Sequence, residues 1–320
     1  MNSKKIGKYS FINFMVLLST IAYGFFAVIS LQRLYKFGSG DIAALLNFFD
    51  NIDIFVLNNN YSVIMGDGLF RLLVVFLADF FQTEFIIVLS GIAFITAAIS
   101  FRICTVNIRL KKHLIYLLPL LLMVFFSPNI VNLFASGVRS GLAFTVLLLA
   151  FVQRKSIVKY FLFGLSSIIH LSMAPIVSFY ILFKILRHKR INASSVASYF
   201  LLFLYSFSLA AFAYLYQYNV TNVSSSFYYN FLTFCLALLL IFASKKSIKN
   251  VYGFMSIGII LIVIYGNLLD VSFSRYSGNA VILYLFFLIN EPNPHVIRVF
   301  SLGYTPFFLL TLFYSILNQF

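Results

Sequence analysis

From Leu114 to Gln153 the chain runs for forty residues with one charged side chain, Arg139. A helix crossing hydrocarbon needs about twenty apolar residues, so this block has room for two passes. Arg109, Lys111 and Lys112 precede it, and Arg154 and Lys155 follow it. Lys and Arg accumulate on the cytoplasmic side of membrane proteins, so positive clusters at both ends demand a hairpin. Pro128, between Ser127 and Asn129, supplies the turn, because proline lacks the N–H a continuing helix needs. Arg139 then falls early in the returning arm, near the outer face. An ionisable side chain inside an apolar span marks a functional site by default, since burying it unpaired costs several kcal/mol.

The rest of the sequence extends this pattern. The 320 residues are 62% hydrophobic and 10% charged, where a soluble domain carries about a quarter charged residues. Apolar runs recur from end to end, and the short alternating strands of a membrane β-barrel are absent. The expected fold is all-α, a polytopic transmembrane helix bundle of about ten or eleven spans, some short or broken. A first, uncleaved span covers Tyr9 to Leu31, with the N-terminus cytoplasmic. Residues 32–84 form an outer loop in which Leu69 to Phe81, interrupted by Arg71 and Asp79, lies in the interface. The second span is Phe85 to Phe101, and the Leu114–Gln153 hairpin follows.

Ile157 to Phe183 is a second hairpin, turning around His170 to Pro175, with basic clusters again at both ends. Further spans fall at Ser195 to Tyr216, Asn230 to Ala243, Val251 to Leu268, Ala280 to Ile289 and Val299 to Leu317. This threading leaves Arg33, Lys36, Arg71, Arg139 and Arg275 outside, so 18 of the 23 basic residues are inside. Every acid except Glu291 is outside. The chain reads as one integral membrane domain, residues 1–320.

Several chemistries are excluded. The net charge of +15 is spread over short clusters between apolar spans, which argues against nucleic acid. No Walker loop, dinucleotide fingerprint or HExxH motif occurs. His113, His188 and His295 thread to the inner side and cannot converge with the outer acids, so neither a metal site nor another cofactor is expected. Cys104 and Cys235 form no CxxC motif and read as small packing residues.

Two arginines remain as sharp candidates. Arg139 has Gly137, Ser140 and Gly141 beside it, and Arg275 has Ser274, Ser277 and Gly278. Small neighbours permit close approach, and a planar guanidinium suits bidentate recognition of phosphate. The plainer reading of an outer arginine is one snorkelling to lipid headgroups. For Arg139 the scarcity of basic residues on that side favours a ligand. His170, in SSIIHLSMAP, can serve either as a hydrogen-bonded core residue or as a proton acceptor. Asp41, Asp67, Asp79, Glu84 and Asp270 are outer carboxylates open to the same role or to plain solvation.

The run from Asn132 through Arg139 to Ala143, a basic turn, and then Ile169, His170 and Ser172 resembles the EpsG-type, Wzy-like polysaccharide polymerases. An acidic first outer loop from Gly38 to Asp41, an apolar stretch from Gly68 to Phe81 and the late pair Arg275-Tyr276 are similar in order. Ser140 stands where that family often has Gln, and Asp67-Gly68 where it often has Glu-Pro. The resemblance implies a glycosyltransferase of GT-C-like architecture in the bacterial inner membrane. It would join repeat units carried on undecaprenyl diphosphate into O-antigen, capsule or exopolysaccharide, without a metal. Arg139, Arg275 and His170 would carry the transfer, and Arg71, Asn132, Asp41, Asp67 and Tyr276 would bind substrate. The implied partners are the lipid-linked glycan, the bilayer, a chain-length regulator and a flippase. The alternatives are a flippase or transporter for lipid-linked saccharide, which calls for charged paths and inverted repeats, and a membrane acyltransferase modifying surface glycan.

Overall fold

The computed structural model describes residues 3–36, 40–50, 61–109, 114–188, 195–215, 249–269, 276–290 and 293–317. Among these residues the regular structure is helical throughout. The helices are α1 (Ser3–Lys36), α2 (Gly40–Asp50), α3 (Tyr61–Phe81), α4 (Phe85–Arg109), α5 (Leu114–Phe125), α6 (Pro128–Ala135), α7 (Val138–Val152) and α8 (Ser156–Ile169). A single 3₁₀ turn (Leu171–Met173) leads to α9 (Ala174–His188), then α10 (Ser195–Leu215), α11 (Val251–Leu268), α12 (Tyr276–Asn290) and α13 (Pro294–Leu317). Three stretches are long and apolar enough to cross a membrane, Asn13–Lys36, Phe85–Val106 and Leu171–His188, and several shorter apolar helices accompany them.

The chain divides into two compact units, Met1–Arg109 with Val131–Ala174, and Leu110–Ile130 with Pro175–Phe320. In the first, α1 and α4 make the broadest helix pair. Gln32 Nε2 donates to Ser90 Oγ at 2.9 Å, and Tyr23 stacks on Phe101 with ring centroids 5.1 Å apart. Residue numbers rise along one helix as they fall along the other, so the pair is antiparallel. Gly24 faces the Phe94 ring so closely that a Cβ would lie 2.7 Å from it. Helix α7 joins α4 through buried hydroxyls: Ser100 and Thr145 lie 2.9 Å apart, and Thr145 also reaches the Thr96 carbonyl at 3.2 Å. With few polar partners available, such bonds fix the height of one helix against the next.

In the second unit, α11 and α12 are the interior. Every described side chain from Gly278 to Ile289 is buried, as befits a helix apolar on all sides. Ser256 on α11 donates to the Ala280 carbonyl at 2.7 Å. Ser206 on α10 reaches the Gly258 carbonyl at 3.2 Å, and Gly258 admits the Phe179 ring of α9. Tyr284 meets Phe300 of α13 at 4.9 Å, and Thr305 of α13 donates to the Met123 sulfur of α5 at 3.7 Å.

The expected breaks at Ser127-Pro128 and at His170 are present. Ser127 Oγ closes the end of α5 on the Val124 carbonyl at 2.7 Å, and Pro128 opens α6 where its missing N–H is harmless. Two helices differ from expectation. The stretch read as Leu69 to Phe81 begins at Tyr61, a helix of 21 residues, because Gly66 and Gly68 are absorbed rather than ending it. The returning arm of the first hairpin is broken again at Ser136-Gly137, where both amides turn back to the Asn132 carbonyl at 3.1 and 2.8 Å. The expected span at Asn230 to Ala243 lies outside the described residues.

Gly141 stands inside that second elbow, where a Cβ would meet the Leu133 carbonyl oxygen at 2.8 Å and the Phe134 Cα at 3.2 Å. Backbone cannot swing aside as a ring can. Gly141→Ala is expected to cost about 1–3 kcal/mol by overpacking, lowering the unfolding temperature of the detergent-solubilised protein. Gly164, whose Cβ would meet nothing within 4 Å, gives the opposite outcome: Gly164→Ala holds or raises that temperature by removing helix-interior glycine.

Candidate functional site

Arg139 is the second residue of α7, two residues beyond the Ser136-Gly137 elbow, and is partly buried. The elbow follows from small residues. Gly137 needs no side-chain room next to the Leu133 carbonyl, 3.3 Å from where its Cβ would be. Gly141 then lets the first turn of α7 lie against Phe134. The Nε atom of Arg139 is buried without a hydrogen bond, while the residue as a whole engages neighbouring groups.

His170 ends α8. Its backbone is extended (φ −151°, ψ 115°), its N–H donates to the Ser166 carbonyl at 3.1 Å, and its own carbonyl accepts from Met173 N–H at 2.9 Å. The side chain is buried, 7% exposed, as are those of Ile169 and Met173. This 3₁₀ corner packs against α7.

The register of α7 against α8 relates the two residues. Three residues, Gln153 to Lys155, connect the helices, so they run antiparallel. Ser166 Oγ donates to the Ala143 carbonyl at 2.8 Å, and Phe151 meets Phe163 at 5.4 Å nearer the connection. Moving four residues away from the connection leads from Ala143 to Arg139 on one arm and from Ser166 to His170 on the other. Each step is about 6 Å of helical rise. Arg139 and His170 therefore stand at the same level, at the open end of one hairpin. Asn132 is exposed on α6, and its carbonyl forms the elbow.

Arg71 sits elsewhere in the same unit. Its Cζ lies 3.8 Å from the centroid of the Phe48 ring of α2. Phe49 next to it stacks on Phe85 at 4.7 Å, so α2 is pinned between α3 and α4. Partial burial lowers the guanidinium pKa from its ordinary value by desolvation, and the ring face offsets part of that cost. Asp41 and Asp67 fall on α2 and α3. Tyr276, buried, opens α12 in the second unit. Arg275 and Asp270 lie outside the described residues.

Other polar features were not expected from sequence. Asp79, Gln82, Thr83 and Glu84, with Ala78 and Phe85, line an open pocket of about 470 Å³ at the α3–α4 turn. Gln82 holds φ 49°, the left-handed conformation that usually falls to glycine. Gln82 and Thr83 amides return to the Asp79 and Ala78 carbonyls at 3.3 and 3.0 Å, a Schellman ending. Asn279 on α12 is 2% exposed, and its Oδ1 accepts no hydrogen bond. Among the described residues no group of three or more His, Cys, Asp or Glu could hold a metal ion.

Comparison with protein-family models, curated proteins and solved structures finds no match to this chain.

A buried acceptor without a donor costs about 1–3 kcal/mol. Asn279→Leu, similar in volume, is therefore expected to raise the unfolding temperature, measured by intrinsic fluorescence in detergent. A fall would mean that the amide has a partner in the membrane-embedded protein.

Proposed function

We propose that the protein is a membrane polysaccharide polymerase of the EpsG, Wzy-like kind. It extends glycan on the outer face of the bacterial inner membrane, using repeat units linked to undecaprenyl diphosphate. The observation that carries this reading is the common level of Arg139 and His170 at the open end of the α7–α8 hairpin, set by the Ser166–Ala143 bond. A cation beside the first turn of a helix favours a diphosphate, since the helix N-terminus and the guanidinium both attract negative charge. A histidine at the same level is available to the attacking group.

The reaction needs few groups. A hydroxyl of the acceptor sugar attacks the anomeric carbon of the donor unit, and the bond to the diphosphate oxygen breaks. The hydroxyl proton passes to His170, and the charge that builds on the departing diphosphate is held by Arg139; Arg275 is assigned to the transfer on the resemblance alone. Burial of His170 and partial burial of Arg139 strengthen these interactions, because charges act further where water is excluded. Arg71, held on Phe48, contributes to orienting α2 and α3 and through them the outer loop. Asn132, Asp41, Asp67 and Tyr276 are assigned to substrate binding on the resemblance.

Arg139→Ala is expected to lower polymerisation by about a hundredfold or more, the usual cost of removing a group that stabilises transition-state charge. The readout is the ladder of glycan chain lengths in a deletion strain complemented with the variant, at matched protein level in the membrane. Arg139→Lys keeps the charge but not the bidentate fork and restores part of the ladder. An unaltered ladder with Arg139→Ala would remove the residue from the reaction.

A further inference from the structure

We propose that Ser166 is a positioning residue: its hydroxyl, bonded across to α7, holds the His170 corner at the level of Arg139. Ser166 is fully buried and makes two bonds that matter to that corner. The hydroxyl donates to the Ala143 carbonyl on α7 at 2.8 Å. The carbonyl accepts the His170 N–H at 3.1 Å and so ends α8 at that residue. One residue thus ties the histidine's backbone to the helix that carries the arginine.

The other buried side chains of α8 are less suited to this role. Only Phe163, Ser166 and Ile169 of α8 are buried, and the two besides Ser166 are apolar and indifferent to a shift along the helix axis. Ile157, Phe161 and Ile168 point outward, 86%, 67% and 64% exposed. A hydrogen bond is directional and tolerates only a few tenths of an ångström before it weakens. The neighbouring hydroxyl Ser167 bonds back to the Phe163 carbonyl of its own helix at 3.1 Å and fixes no height. The proposal rests on the polymerase reading for its effect on glycan, whereas the positioning itself is measurable without it.

The test is the rate at which diethyl pyrocarbonate modifies His170 in the full-length protein in lipid nanodiscs at neutral pH, followed by peptide mass spectrometry. His188 and His295, both more exposed, serve as internal references. Ser166→Ala is expected to raise the His170 rate about three- to tenfold, the weight of one net hydrogen bond, and to shorten the glycan ladder. Ser166→Thr, which keeps the hydroxyl, holds the rate near wild type. Ser256→Ala removes a comparable buried bond to the Ala280 carbonyl in the other unit and leaves His170 unchanged. If Ser166→Ala does not accumulate, Ser166→Cys, a weaker donor in nearly the same space, gives a smaller rise. An unchanged His170 rate, or an equal rise with Ser256→Ala, overturns the proposal. A raised rate with a normal glycan ladder upholds the positioning and sinks the role of His170 in polymerisation.

Discussion

In a chain this apolar, each hydroxyl has few places to put its proton, and that constraint sets how the helices stand against one another. Among the described residues, serines and threonines commonly turn back on their own helix. Ser19, Thr20, Ser30 and Ser208 each donate to the carbonyl four residues earlier. Such bonds satisfy the group and say nothing about a neighbour. A small set reaches across: Ser166 to Ala143 and Ser256 to Ala280, while Thr145 reaches Thr96 and Ser100, and Ser206 reaches Gly258, in addition to the own-helix carbonyls of Gly141 and Leu202. Apolar side chains can slide along an axis with little penalty, but these bonds cannot. They convert loosely specified helix pairs into pairs with one register.

Close approach is what allows a hydroxyl to reach across. At Gly258 the Phe179 ring occupies the space of a missing side chain, and the carbonyl of the same residue receives Ser206. At Gly141 the Cα face admits Phe134, while its carbonyl takes the Thr145 hydroxyl of the same helix at 2.7 Å. Gly258 thus plays two parts, removing bulk on one side and leaving an accessible acceptor on the other. Where neither part is needed, as at Gly91 and Gly164, nothing lies within 4 Å of the would-be Cβ.

The sequence made the helix periods and the sharpest turns legible, because proline and basic clusters leave marks that depend little on tertiary structure. The break at Pro128 and the corner at His170 are of this kind. The Ser136-Gly137 elbow was not legible. A glycine beside serine inside an apolar run reads equally as a helix-packing notch, and the difference lies in whether the Asn132 carbonyl can collect both amides. The early start of α3 at Tyr61 was hidden for a related reason, since Gly66 and Gly68 are poor helix formers in isolation and neighbouring helices override that. Arg71 on Phe48 was hidden because it joins separate helices, although the adjacent Phe48 and Phe49 of α2 were a usable signal. Asn279 carried no signal at all, being one small polar residue among Ser277, Gly278 and Ala280.

Why should an arginine and a histidine be brought level by a hairpin instead of being placed on one helix? On one helix, residues three or four apart share a face with Cβ atoms about 5–6 Å apart, and both must then point the same way. On two antiparallel arms two side chains can instead converge from different sides. The α7–α8 pair has that form: Gly137, Ser140 and Gly141 surround Arg139 on one arm, while a single extended residue presents His170 on the other. A short connection from Gln153 to Lys155 closes the far end and leaves the near end open. Among the described residues, one directional contact that fixes this level runs from Ser166, four residues before the histidine, to Ala143, four residues after the arginine.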